Sequence, residues 1–197
     1  MSFKNALRIA FVAVALGAFG TSASAQVQAF GGSAPRMAAT RIFFDKGPVG
    51  MVCVQYGQGT WKPEYDGMLG TLKGKAARLG KDFWTTFNTS IPLTVGETKV
   101  EAGSYYLGIK VDAEGNFHLL VMKAETADKA GWAPWTSDAW KADYTLAMKH
   151  GKSDKDAIVE KMTMDLDVDA KDPAQMTFKI SWGSHVLTMP MTAHLAK

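Results

Sequence analysis

Met176-Thr177-Phe178-Lys179-Ile180-Ser181-Trp182-Gly183-Ser184-His185-Val186-Leu187-Thr188-Met189-Pro190-Met191 reads as one β-hairpin. Met176, Phe178, Ile180 and Trp182 alternate with Thr177, Lys179 and Ser181. A period of two puts apolar side chains on one face of a strand and polar ones on the other. Gly183-Ser184 separates two such runs. A two-residue loop with glycine first suits a type II′ turn, whose twist matches antiparallel strands. His185, Leu187, Met189 and Met191 then share one face of the returning strand. Strands that bury one face and wet the other belong to antiparallel sheets.

The same alternation recurs upstream. Met162, Met164, Leu166 and Val168 alternate with Lys161, Thr163, Asp165 and Asp167. Tyr105, Leu107, Ile109 and Val111 share a face, and the chain turns at Asp112 to Asn116. Phe117, Leu119 and Val121 line one face of the next run; His118, Leu120 and Met122 line the other. Thr40–Asp45 and Gly50–Tyr56 are joined by Lys46-Gly47-Pro48 as a further hairpin. Several short strands at roughly 8–12-residue spacing predict an all-β fold, an antiparallel β-sandwich. Two stretches break the pattern and read as long loops. Tyr65 to Lys81 is Gly-rich, with one helical turn expected near Ala76-Ala77-Arg78. Glu125 to Lys141 is Trp-rich, with short helical pieces.

The N-terminus carries an address. Lys4 and Arg8 precede the apolar run Ile9 to Gly20, and Ala23-Ser24-Ala25 stands before Gln26. This is the layout of a secretory signal peptide, cleaved between Ala25 and Gln26, with an apolar run too short to span a bilayer. The expected organisation is a signal over 1–25, a flexible lead-in over 26–36, and one β-sandwich domain over 37–197. The expected location is the periplasm or the exterior. No cysteine follows the signal, so no N-terminal lipid is expected. Loss of Lys4 and Arg8 takes the formal charge from +3 to about +1. A near-neutral chain gives no electrostatic case for nucleic acid. No second apolar run approaches the length of a transmembrane helix. Cys53 is the single cysteine, which excludes an internal disulfide. Met51-Val52-Cys53-Val54 reads as a strand interior, and no adjacent His or other base would activate the thiol.

Three motif groups carry a resemblance: Tyr56-Gly57-Gln58; Leu79-Gly80-Lys81-Asp82-Phe83-Trp84-Thr85-Thr86; and Glu101-Ala102-Gly103-Ser104-Tyr105-Tyr106-Leu107. Their order resembles the bacterial secreted proteins grouped as domain of unknown function family 2911. Those proteins typically show Tyr-Gly-Arg-Pro, then Gly-Lys-x-Trp-Arg-Thr-Gly-Ala-Asn-Glu, then Pro-Ala-Gly-Thr-Tyr-Ser-Leu. The resemblance covers roughly Ala38 to the C-terminus and implies a β-sandwich of unassigned function. This chain departs where charge sits. Trp84-Thr85-Thr86 replaces Trp-Arg-Thr, and Phe87-Asn88-Thr89-Ser90 holds no acid.

No catalytic residues are assigned. The chain lacks a Gly-x-Ser-x-Gly elbow, a P-loop and a His-Glu-x-x-His helix. Adjacent Ser184 and His185 would leave a strand on opposite faces. Asp165, Asp167 and Asp169 alternate with apolar residues and read as a wet face. A calcium loop would need Gly where Ala170 stands and Glu where Met176 stands. Trp132, Trp135 and Trp140, with Tyr144 nearby, are the candidate ligand-binding residues, because flat aromatic faces suit sugar rings and apolar ligands. A packing role for these indoles is the competing reading. The leading expectation is a non-catalytic binding or accessory module for a small molecule, glycan or envelope protein, with no cofactor. One alternative is an envelope-acting hydrolase. The other is a copper-handling protein using His185, Met189, Met191 and His194, since thioether and imidazole ligands suit copper. Mature protein recovered from the envelope should begin at Gln26 without lipid, as N-terminal sequencing and intact mass would show. Retained Met1 would refute the signal reading.

Overall fold

Two antiparallel sheets face each other in the computed structural model of the chain, which describes residues 31–136, 140–153 and 157–195. The chain divides into two units, Met1–Gly31 and Gly32–Lys197, and every element below belongs to the second. The signal segment and the lead-in up to residue 30 lie outside the described residues. The strands in chain order are β1 (Arg36–Phe44), β2 (Pro48–Gly57), β3 (Lys75–Arg78), β4 (Thr85–Thr89), β5 (Leu93–Val95), β6 (Thr98–Val100), β7 (Gly103–Val111), β8 (Phe117–Lys123), β9 (Tyr144–Ala147), β10 (Lys149–Lys152), β11 (Val159–Val168), β12 (Gln175–Gly183) and β13 (His185–Ala193). The first sheet runs β1-β2-β4-β7-β8-β9, with β3 also on β7. The second runs β11-β12-β13-β5-β6, with β10 also on β13. The all-β sandwich expectation holds.

Alternation decides what is buried. Val52, Val54, Tyr56, Phe87, Leu107, Leu119 and Val121 from one sheet meet Leu93, Met164, Leu166, Phe178, Met189 and Met191 from the other in one core. Burial at about 25 cal/mol per Å² of apolar surface is the main favourable term, and methionine's flexible thioether fills the gaps between branched neighbours. Arg41 and Asp165, 2.9 Å apart, tie β1 to β11 across the sandwich edge.

β7 and β13 are each shared along one edge by two short strands. β4 pairs Gly103–Leu107 and β3 pairs Gly108–Val111. In the second sheet β5 pairs Met191–Ala193, and β10 pairs His185–Thr188. The edges therefore divide, with β3 and β10 at one end of their sheets and β4 and β5 beyond them.

The turn between β12 and β13 is the one expected. Trp182 pairs with His185, Gly183 has φ 61°, and Ser184 is not left-handed. A Cβ on Gly183 would also lie 2.4 Å from the ring of Trp61. Glycine is required twice there, by backbone and by space.

Three local expectations change. Ala76-Ala77-Arg78 is strand, not a helical turn. Gly74 and Gly80, both at positive φ, bracket it, and the free edge of β7 beyond β4 supplies its hydrogen bonds. The helical turns of that stretch are α1 (Tyr65–Leu69) and a 3-10 turn at Gly70–Leu72. The lead-in ends in an anchored segment, because the Asp82 carboxylate accepts the N–H groups of Ser33 (2.7 Å) and Ala34 (2.6 Å). Those bonds hold the Asp82 carboxyl below the usual carboxylate range, the Ala34 bond most of all. Cys53 is buried as expected, but on the outward face of β2, where the Thr40 hydroxyl lies 3.2 Å from its sulfur.

Gly183→Ala should destabilise the fold by roughly 1–3 kcal/mol through strain and overpacking. A chemical denaturation midpoint at the wild-type value would show that neither constraint operates.

Candidate functional site

The site begins where β2 leaves its sheet. At Gly57 a Cβ would lie 1.9 Å from the carbonyl oxygen of Lys81, so only glycine fits the exit. The chain then crosses to the second sheet. Met162 N–H donates to Gly59 O (2.8 Å), Trp61 N–H donates to Glu160 O (2.6 Å), and Thr60 pairs with Lys161. β11 is the outer strand of its sheet, and this segment lies along it where its register on β12 shifts, between Val159 and Thr163. The Trp182 indole N–H donates to Gly59 O at 3.2 Å.

Trp61 is thereby set edge-on to Trp182, with ring centres 5.1 Å apart. Tyr65 of α1 closes the group, 5.7 Å from Trp61 and 5.1 Å from Trp182. Beside these rings lies a cleft of about 240 Å³ between the two sheets. Leu72, Ala77, Ile109 and Phe117 line it from one side, and Met162, Ile180, Trp182 and Leu187 from the other; Trp61, the Arg78–Gly80 stretch and His185 complete the wall. An apolar pocket with few polar groups is the usual form of a small-molecule site.

A hydrogen-bonded chain of polar groups stands at its mouth. His185 Nε2 lies 2.7 Å from Asp66 Oδ1 of α1. His185 Nδ1 lies 3.0 Å from His150 Nε2 of β10. A carboxylate only accepts, so Nε2 of neutral His185 carries its hydrogen and Nδ1 offers a lone pair. His150 Nε2–H then donates to that lone pair. Burial holds the pKa of His150 below the usual histidine value; nearby His185 and Lys152 add to the effect. The ring of Phe117 lies 4.8 Å from that of His150.

The Trp-rich loop is placed differently. α2 (Ala124–Lys129) and the chain after it cover the outer face of the first sheet, where Leu120, Met122 and Ala127 are buried. Trp140 lies on Gly108 of that face; a Cβ there would meet the indole at 2.7 Å. Its ring is edge-on to Trp84, which stacks on Tyr106 at 4.5 Å. Trp132 is half-buried, and its N–H donates to Ala127 O at 3.0 Å. Trp135 is 62% exposed. Tyr144 belongs to the opposite face, against Tyr105 in the sandwich interior. The four residues do not make one platform. Residues 137–139, inside this loop, lie outside the described residues.

The copper set is not brought together either. His185 stands at the cleft, while Met189 and Met191 continue along the same face into the core. His185 and Met191 are separated by roughly 20 Å at about 3.3 Å per residue. His194 faces the other way and lies 2.7 Å from the Thr94 hydroxyl. Among the described residues no three His, Cys, Asp or Glu side chains gather to hold a metal ion. Asp165 and Asp167 pair with Arg41 and Lys179, as a wet face would. His150 and Asp66 were illegible as partners of His185, because Lys149-His150-Gly151-Lys152 has no apolar alternation and Asp66 lies in the Gly-rich stretch.

A family model described as protein of unknown function (DUF2911) matches residues 51–191. The chain belongs to this family. No curated protein and no solved structure matches it. The matched span of this DUF2911 protein runs from β2 to β13 and includes every residue that lines the cleft. Among the described residues no helix is long and apolar enough to cross a membrane.

In this DUF2911 protein Trp135→Ala should change stability by no more than about 0.5 kcal/mol, as exposed sites do. Trp140→Ala should cost several times more, because it uncovers Gly108 and Trp84. Equal denaturation midpoints for the two variants would contradict the outer-layer role of Trp140.

Proposed function

We propose that the mature protein is a periplasmic or secreted, non-catalytic module that binds a small, mainly apolar ligand in the cleft between its sheets. The observation that carries the reading is the aromatic-walled space of about 240 Å³ beside Trp61 and Trp182. A core of this composition otherwise packs at crystal-like density, so an apolar cleft of that size is a place for a ligand body. The volume lies just below the usual 300–1,000 Å³ of drug-sized ligand sites and suits a compact molecule. The signal layout supplies the location.

This reading moves the binding function from the Trp-rich loop to the opposite face of the first sheet. The loop indoles are divided between packing and solvent, whereas Trp61 and Trp182 line one space with Tyr65 packed against both. A hydrolase reading has less support. The cleft lining includes no serine or cysteine, and His185 has both ring nitrogens engaged.

Native mass spectrometry of protein purified from its own envelope should reveal a bound small molecule. Leu72→Trp, which fills the cleft from the 3-10 turn, should release it while circular dichroism stays β-rich. A ligand retained at full occupancy in Leu72→Trp would place binding elsewhere.

A further inference from the structure

We propose that His150 and His185 form a transition-metal site at the mouth of the cleft, supported from behind by Asp66, and that Cu(II) is the ion it suits best. The site stands independently of any ligand in the cleft. Its two imidazoles come from neighbouring strands. His150 pairs with Leu187 and His185 pairs with Lys152, so the two rings are diagonal neighbours on the inner face of β10 and β13. His150 Nε2 and His185 Nδ1 lie 3.0 Å apart, and the ring planes differ by 20°.

The hydrogen bond from His185 Nε2 to Asp66 Oδ1, 2.7 Å long, is the second observation. Metal-bound histidines characteristically donate their far N–H to a carboxylate, which fixes the tautomer and raises the basicity of the ligating nitrogen. Asp66 fixes the tautomer of His185 and aims the Nδ1 lone pair at His150. In the metal-free chain the hydrogen on His150 Nε2 fills the gap. An ion takes its place when His150 carries its hydrogen on Nδ1 instead, and two lone pairs then face the ion. His150 sits on a four-residue edge strand and is exposed, so its ring is free to tilt the lone pair from His185 toward the ion.

Ligand type and the divalent affinity order select the metal. Bonds of about 2.0–2.1 Å from imidazole to metal put two nitrogens about 2.9 Å apart at a right angle and about 3.3 Å apart at a tetrahedral angle. The observed 3.0 Å, set by the hydrogen bond of the metal-free pair, lies between the two, so the pair can close on an ion with little movement. Tetragonal nitrogen and oxygen sites suit Cu(II) or Ni(II), and divalent affinities peak at copper. No third His, Cys, Asp or Glu joins the pair among the described residues, so the other positions are open to water or to a donor atom in the cleft. The site shares only His185 with the Met189, Met191 and His194 set.

The test uses mature protein stripped with a chelator and titrated with Cu(II) alone. Electron paramagnetic resonance should show one tetragonal copper with nitrogen hyperfine structure. His150→Ala, at an exposed edge position, should keep the wild-type melting curve and bind copper at least tenfold more weakly. Asp66→Asn should weaken binding roughly 10–100-fold, the usual effect of losing a carboxylate behind a ligand. Wild-type protein that takes up no copper overturns the proposal. So does equal affinity in His150→Ala, which would place the ion at the amino terminus or elsewhere. Wild-type affinity in Asp66→Asn overturns the part given to Asp66.

Discussion

The crossing of the chain from β2 into the second sheet is the constraint on which the rest depends. Two backbone hydrogen bonds, from Met162 to Gly59 and from Trp61 to Glu160, fasten it to the outer edge of β11, where that strand's register on β12 shifts. The outer edge of a sheet presents unpaired backbone groups, and Gly59–Trp61 supplies partners to those of Glu160 and Met162. Tyr56 reinforces the crossing from within: its hydroxyl accepts the Met164 N–H at 3.0 Å. Once the crossing is made, Trp61 lies over Gly183, Trp182 turns toward Gly59, and the cleft lies beside the two rings. The cleft is walled on one side by rings that this crossing and the glycine turn hold in place.

The divided edges of β7 and β13 act in the same direction. A single long partner strand on either edge would have carried the pairing straight through to the end of the sandwich. Short β3 and β10 instead cover those ends separately. Their side chains, Ala77 on one and His150 on the other, are small or polar where the core proper uses Phe87, Leu93 and Phe178. The interior thus thins from a close-packed middle to an apolar space rimmed by histidine and aspartate.

Much of the fold was legible because period-two burial leaves its mark on sequence. Met164, Leu166, Phe178 and Met189 were assignable to the inner face from alternation alone, and the Gly183-Ser184 turn from its residue order. What escaped was set by contacts between distant segments. Ala76-Ala77-Arg78 has helix-forming residues, yet a vacant strand edge thirty residues away decides its state; tertiary pairing overrides propensity there. The crossing at Gly59–Trp61 has no local signature, since Gln58-Gly59-Thr60 reads as an ordinary turn.

The candidate site residues show the same division more sharply. Three tryptophans close together in sequence, Trp132, Trp135 and Trp140, invited a single role, but Gly108 offered Trp140 a flat seat on a sheet and left Trp135 in solvent. Trp61, Tyr65 and Trp182, which do converge, span more than a hundred residues. Asp66, His150 and His185 are likewise far apart in the chain, and each looks unremarkable where it stands. Only the crossing, the edge strand β10 and the glycine turn bring them to one rim. Sequence clustering is thus a poor guide to a site in an antiparallel sandwich, because strand neighbours in space are set by pairing. The residues best placed to act on a ligand are those that the sheets' divided edges leave facing one another.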